Sequence, residues 1–218
     1  IVQKNIEDAC LKSGRNPREI KVVAVTKYVS LARMEEALSC GLREFGESRA
    51  QDALPKWEKL GERAVWHFIG HLQTNKVKYI IDKFTYIHSL DRLSLAQEIN
   101  KRAAKLNKPI SCFVQVNVAN EETKHGLAVE EVEDFVESMQ DFPYIKVIGL
   151  MTMAPLVENP EEARPIFRQL RQIQESLQKK EWSFAPLTEL SMGMSNDYQV
   201  AIEEGATYIR LGSCLVGE

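Results

Sequence analysis

Eight short runs rich in valine, isoleucine and other apolar residues recur along the chain at 20–26, 43–46, 65–70, 85–88, 110–118, 146–151, 188–191 and 208–211. The stretches LARMEEALSCG, DRLSLAQEINKRAAKL, AVEEVEDFVESMQ and NPEEARPIFRQLRQIQESLQKK lie between them. In these, apolar residues return every three or four positions and acidic residues crowd the early turns, the pattern of amphipathic helices. Strand and helix alternate with no long polar linker, which predicts a parallel sheet wrapped by helices. Eight strands are the number that closes a (β/α)8 barrel. The expectation is therefore a single barrel domain over residues 1–218, with an open doubly wound sheet as the alternative. No G-x-G-x-x-G follows the first run, where a dinucleotide fold would carry it.

Charge and cysteine usage exclude several roles. A net charge of −3 with no basic cluster leaves no footprint for nucleic acid. The apolar runs are strand-sized, against the ~20 residues that a membrane-spanning helix needs. The cysteines at 10, 40, 112 and 214 form no CxxC pair, which argues against a zinc or redox motif and fits a reducing, cytoplasmic setting. No secretory signal is visible, and the chain begins at Ile1, so a preceding segment is left open.

In a barrel of this kind the C-terminal ends of the strands share one mouth, where active sites form. Polar and small residues gather at those ends: Lys27, Glu47 to Arg49, Gly70 with His71, Ser89, Asn117, Thr152, Ser191, and Arg210 with Gly212. The first run, KVVAVTK, ends on Lys27, either as a strand leaving the core or as an amine held ready for a carbonyl. In LSMGMSND, Ser195, Asn196 and Asp197 open a helix. They act either as caps for its free N–H groups or, with Gly212 and Ser213 of IRLGS, as a phosphate cradle. His67 and His71 are four apart but lie across a strand and its loop, so they would not share a face for a metal. His67 reads as a core histidine, while His71, Asn75 and Lys76 would line the mouth. Glu121 and Glu122 read as a solvated loop, with no carboxylate pair spaced for acid–base work.

VAVTK (23–27), FGES (45–48), WHFIGHLQTNK (66–76), HSLDR (88–92), VQVNV (114–118), GLMTM (149–153), LSMGMSND (190–197) and IRLGS (209–213) together resemble the YggS/PROSC family of pyridoxal phosphate homeostasis proteins. The resemblance covers almost the whole chain. It implies a barrel similar to the N-terminal domain of alanine racemase, with pyridoxal 5'-phosphate on Lys27 as a Schiff base. It further implies Ser195, Gly212 and Ser213 at the phosphate, Arg210 facing the pyridine nitrogen, and Asn117 and Met194 among the cofactor contacts. The implied role is vitamin B6 homeostasis and amino-acid or keto-acid balance by a non-catalytic monomer, with apo-enzymes or regulatory proteins as partners.

Ser48 stands where the family motif FGEN has asparagine, which weakens any contact from that position. A free lysine has a pKa near ~10.4, and burial beside Arg210 is expected to favour the neutral, nucleophilic amine. Two other functions remain open. One is a stand-alone pyridoxal phosphate-dependent racemase, which needs a base on each face of the cofactor, commonly a tyrosine from a second domain. The other is a cofactor-independent Schiff-base aldolase whose phosphate loop grips the substrate.

Overall fold

The computed structural model describes residues 1–217. The eight apolar runs become parallel strands: β1 (Lys21–Val25), β2 (Glu44–Glu47), β3 (Val65–Phe68), β4 (Tyr86–Leu90), β5 (Ile110–Gln115), β6 (Ile145–Met151), β7 (Glu189–Ser191) and β8 (Tyr208–Leu211). They close in sequence order, with β8 pairing back onto β1 through Lys21–Tyr208 to Ala24–Leu211. The expected barrel is the observed one.

Helices fill the crossovers: α1 (Val2–Ser13) precedes β1, and α2 (Leu31–Ser39), α3 (Ala50–Leu60), α4 (Val77–Ile80), α5 (Leu93–Lys105), α6 (Val132–Ser138), α7 (Arg164–Gln178), α8 (Tyr198–Glu203) and α9 (Ser213–Val216) follow their strands. Among the described residues no helix is long and apolar enough to cross a membrane.

Strand ends differ from the sequence expectation where the exit loops pack tightly. β3 stops at Phe68 rather than residue 70, because Gly70 turns the chain directly against Ser48: a Cβ there would lie 2.3 Å from the Ser48 carbonyl oxygen. β4 runs on to Leu90 through a bulge, in which Ile87 pairs with Cys112 but Leu90 pairs with Val114. An extra residue of this kind re-aims the side chains beside it. Ile87 and Leu90 therefore both join the core beneath the helices, while His88 keeps the inward face it shares with Tyr86.

Two cores result from the period-two alternation of each strand. Outward residues such as Ala24, Phe45, Trp66, Cys112 and Leu150 pack beneath the helices. α7 answers them with Phe167, Leu170, Gln174 and Leu177, spaced three, four and three apart along one buried face. Inward residues form a smaller aromatic-aliphatic plug of Val23, Phe113, Ile148, Met151 and Tyr208.

An ion cluster around the buried Glu204 carboxylate ties α7 to the end of α8. The Glu204 carboxylate lies 3.0 Å from Arg164 Nη1, 2.8 Å from Arg168 Nη2 and 3.4 Å from Arg171 Nη2. Burial works to raise its pKa, but hydrogen bonds from Arg168 and Arg164 hold the value below the ordinary carboxylate range. A group depressed on folding stabilises the protein above its unfolded pKa, and the contribution fades as pH falls through the folded value. Glu204→Gln is therefore expected to lose about 2 kcal/mol at neutral pH. The difference should shrink in strong acid, where the wild-type carboxyl also protonates. Urea titrations of both proteins at the two pH values check this, and an equal difference at both would contradict it.

Candidate functional site

The hydrogen bonds around Thr26 fix where Lys27 leaves the sheet. Thr26 is fully buried, and its N–H bonds to Gly46 on β2. Its hydroxyl donates to Glu47 Oε1 at 2.6 Å. Lys56 of α3 reaches the same carboxylate at 2.8 Å and the Thr26 carbonyl at 2.6 Å. Glu47 has no exposure and one carboxylate oxygen without a partner, so removing Lys56 alone would strand a buried charge. A β2–α3 ion pair thus clamps the peptide group immediately before Lys27.

Lys27 itself is exposed, with Nζ 5.2 Å from the Tyr28 ring centroid. The expected burial beside Arg210 is not what the structure shows. β1 ends at Val25, two residues earlier, and the Lys27–Tyr28 turn carries the amine out of the barrel, whereas Arg210 is only 3% exposed.

The lysine borders a cavity of about 430 Å³ lined by Val25, Lys27, Tyr28, Val29, Gly212, Ser213 and Gly217. Closure of the barrel makes this cavity, because β8 runs beside β1 and delivers its exit loop to the same rim. Ser195, on the loop after β7, is not among the lining residues but is hydrogen-bonded to one of them. Its hydroxyl oxygen accepts the Gly212 N–H at 3.2 Å and the Cys214 thiol at 3.3 Å. Two residues before Gly212 on the same strand face, Arg210 points into the barrel. It donates to Ser191 Oγ at 2.6 Å and to the Thr152 carbonyl at 3.0 Å, engaging two of its five N–H groups. Burial pulls its pKa down to about 10, with Asp197 opposing, so it is a cation at neutral pH.

The capping reading of LSMGMSND is not realised. No side chain caps α8. Asp197 accepts the Met194 N–H at 2.6 Å, closing a turn, and burial raises its carboxyl pKa. Asn196 donates to the Val157 carbonyl, and Ser195 reaches across to β8. Gly193 holds φ at +92°, and a Cβ there would meet Ala201 Cβ at 2.6 Å, so only glycine suits this bend.

The remaining expected residues lie elsewhere on the mouth. Asn117 uses both ends of its amide on Glu121, donating to its carbonyl at 2.9 Å and accepting its N–H at 3.2 Å. Met194 sits in the Asp197 turn, and neither residue is among those lining the Lys27 cavity. Ser48 borders a separate cleft of about 380 Å³ with Arg49, His71 and Lys76. The sequence reading passed over Tyr28, Val29 and the Thr26–Glu47–Lys56 clamp. Adjacency to Lys27 was the available signal for Tyr28, but nothing local links residues 26, 47 and 56.

His67 is buried inside the barrel and His71 is exposed on its loop, so the pair forms no joint site. His71, Asp91 and His125 do bring ligand atoms within 4.8 Å of one another at the mouth. The two imidazole rings stack with centroids 3.9 Å apart and planes 19° from parallel.

The family model for the alanine racemase N-terminal domain matches residues 2–218. A pyridoxal phosphate homeostasis protein of Aquifex aeolicus is 47% identical over 218 residues, covering 100% of this chain and 95% of that protein. A protein of the same description from Synechocystis is 41% identical over 204 residues, 93% of each. Among solved structures, PipY of Synechococcus elongatus with PLP bound superposes with a TM-score of 0.85 at 32% identity, over 98% of this chain and 100% of that one. An alanine racemase of Clostridium difficile shares the fold alone, with a TM-score of 0.76 at 15% identity over 97% of this chain and 54% of its own.

Proposed function

The chain belongs to the alanine racemase N-terminal domain family and, within it, to the pyridoxal phosphate homeostasis proteins, and from that premise we propose that Lys27 holds pyridoxal 5'-phosphate in a carrier rather than an enzyme. The observation that carries this reading is the cavity where β1 and β8 end, which sets a lysine amine opposite Gly212 and Ser213 with no carboxylate among the described residues of its lining.

The residues present fit the cofactor. An aldehyde needs an amine, and a phosphate needs hydroxyl and N–H donors without a competing anion. The Gly212 Cα opens onto free space, since a Cβ there would find nothing nearer than Val25 Cβ at 3.8 Å. A bound pyridoxal phosphate would supply an aldehyde, and the Lys27 amine would hold it. Ser195, Gly212 and Ser213 would hold the phosphate. Arg210, beneath the mouth, would donate to the ring nitrogen and, having no acceptor, would leave that nitrogen unprotonated. Pyridoxal catalysis relies on the ring as an electron sink, which is weakest in this state.

Among the described residues, the ionisable groups of the cavity are Lys27 and Tyr28, and both come from the turn after β1. The opposing wall contributes Gly212, Ser213 and Gly217, none of them a base at neutral pH. The described lining thus offers a two-base racemase no base facing Lys27. Exposure of Lys27 leaves the covalent link open to an accepting amine, which suits delivery to apo-enzymes in vitamin B6 homeostasis.

Solvent deuterium exchange at the α-carbon of alanine and serine, with the pyridoxal phosphate-loaded protein, tests the carrier reading. Negligible exchange is expected. Rapid exchange that Lys27→Ala abolishes would make the protein an enzyme.

The phosphate contacts give a second test. Ser195→Ala is expected to weaken pyridoxal phosphate by about 1–2 kcal/mol, the scale of one hydrogen bond to a charged group. Pyridoxal, which lacks the phosphate, should change far less. Equal losses for the two ligands, measured by titration calorimetry, would remove Ser195 from the phosphate.

A further inference from the structure

Arg210 heads a chain of four hydrogen bonds that crosses the barrel interior. Arg210 Nη1 lies 2.6 Å from Ser191 Oγ, which lies 2.8 Å from His88 Nδ1. His88 Nε2 is 3.0 Å from His67 Nδ1, and His67 Nε2 is 2.6 Å from Glu44 Oε2. Five strands contribute one residue each. Ser191 and Arg210 lie toward the mouth, whereas Glu44 opens β2 at the opposite rim with its side chain 29% exposed. The links between are dry. Ser191, His88 and His67 have no exposure, and the imidazoles stack on Phe113 at 4.3 Å and on Tyr86 at 4.6 Å.

The two ends dictate the direction of every bond. A carboxylate only accepts, so His67 Nε2 carries a proton. Burial lowers the pKa of His67 despite the Glu44 contact, leaving it neutral, so its Nδ1 is an acceptor. His88 Nε2 must then donate. Burial, reinforced by His67 and Arg210, holds His88 well below its ordinary pKa, so its Nδ1 is also an acceptor. Ser191 consequently donates its hydroxyl proton to His88 and receives the guanidinium N–H on a lone pair. Arginine has no acceptor, so the chain cannot run the other way.

We propose that Ser191, His88, His67 and Glu44 are positioning residues for Arg210, forming a hydrogen-bond chain of single polarity that fixes the guanidinium as a donor beneath the Lys27 cavity. From Ser191 to Glu44 every donor already meets an acceptor, so the chain has no proton to pass upward, and Arg210 keeps N–H groups beyond those used on Ser191 and Thr152 with which to donate. This ring-directed part rests on the cofactor reading given above, while the polarity of the chain does not.

The test has two arms. In the ligand-free protein, long-range ¹H–¹⁵N NMR should show His67 and His88 as neutral Nε2–H tautomers at about pH 7. A proton on Nδ1 of either ring, or titration of either between about pH 6 and 8, would overturn the chain. In the second arm, Ser191→Ala should lower affinity for pyridoxal and pyridoxal phosphate by the same factor, roughly tenfold, because both ligands share the ring nitrogen. Ser191→Thr, which keeps the hydroxyl, should restore most of it, and ring-¹⁵N-labelled pyridoxal phosphate should report a weakened donor only in Ser191→Ala. Unchanged pyridoxal affinity in Ser191→Ala would overturn the positioning role. Failure of the intact protein to bind either ligand would overturn the cofactor reading and the ring-directed part with it, whereas the tautomers decide the chain on their own.

Discussion

Lys27→Ala is expected to abolish covalent capture of pyridoxal phosphate, leaving a protein without the visible absorbance of the link and without a borohydride-trapped adduct. The expectation follows from which amine can reach the cavity. Lys27 is the lysine in its lining, and it has a cation–π contact with Tyr28 rather than an ion-pair partner among the described residues. Lys56, nearby in the fold, is held by Glu47 and the Thr26 carbonyl with its side chain 14% exposed. Lys21 bonds to Tyr208 at the far end of the barrel. Neither is free to substitute. The proposed phosphate contacts from Ser195, Gly212 and Ser213 do not involve Lys27, so residual non-covalent binding should remain and should compete with inorganic phosphate. Lys27→Arg preserves the charge but cannot condense with an aldehyde, and should behave as Lys27→Ala does in the trapping assay. Peptide mapping after borohydride treatment of the wild type decides the assignment, and an adduct on any other lysine would refute it.

Gly149→Ala should be the most destabilising single methyl in the protein. A Cβ at Gly149 would fall 1.9 Å from the Glu189 carbonyl oxygen and 2.6 Å from its carbon, far inside van der Waals contact. Both partners are backbone atoms of paired strands, with Gly149 in register with Glu189, so no side chain can swing aside. A β6 bulge between Cys112–Val147 and Phe113–Gly149 sets this register, and β7 is held on its other side by β8. Relief requires β6 and β7 to part, which opens the barrel. Overpacking of this severity costs about 3 kcal/mol or more. Gly41→Ala provides the comparison: nothing lies within 4 Å of its Cβ position, and only its φ of +88° resists, at about 1 kcal/mol. Urea unfolding of the two variants should separate them clearly. If Gly149→Ala is no worse than Gly41→Ala, the β6–β7 approach described here is wrong.

Much of this was legible before any coordinate was known, because strand and helix spans rest on local periodicity. Valine-rich runs of strand length, separated by stretches with a three-four repeat, leave few architectures, and a count of eight selects closure. Strand parity then places Lys27, Ser191 and Arg210 near the mouth without reference to any partner. The motifs from VAVTK to IRLGS likewise pointed to the family to which the chain belongs.

Contacts between strands distant in sequence were decided only by the tertiary structure. Pairing of β8 with β1 brings Gly212 and Ser213 to Lys27 across more than 180 positions. Closure of the barrel brings the inward-facing His88 to His67 and Ser191, and the last of these is 103 residues away. The exposure of Lys27 depends on where β1 lets go of β2 and on a clamp from α3, none of it written in KVVAVTK. The same holds for Ser195, which reads locally as a cap and in the fold bonds to Gly212. A local pattern specifies which face of an element is apolar. Which residues meet across a barrel depends on register, bulges and closure, and these are properties of all eight strands together.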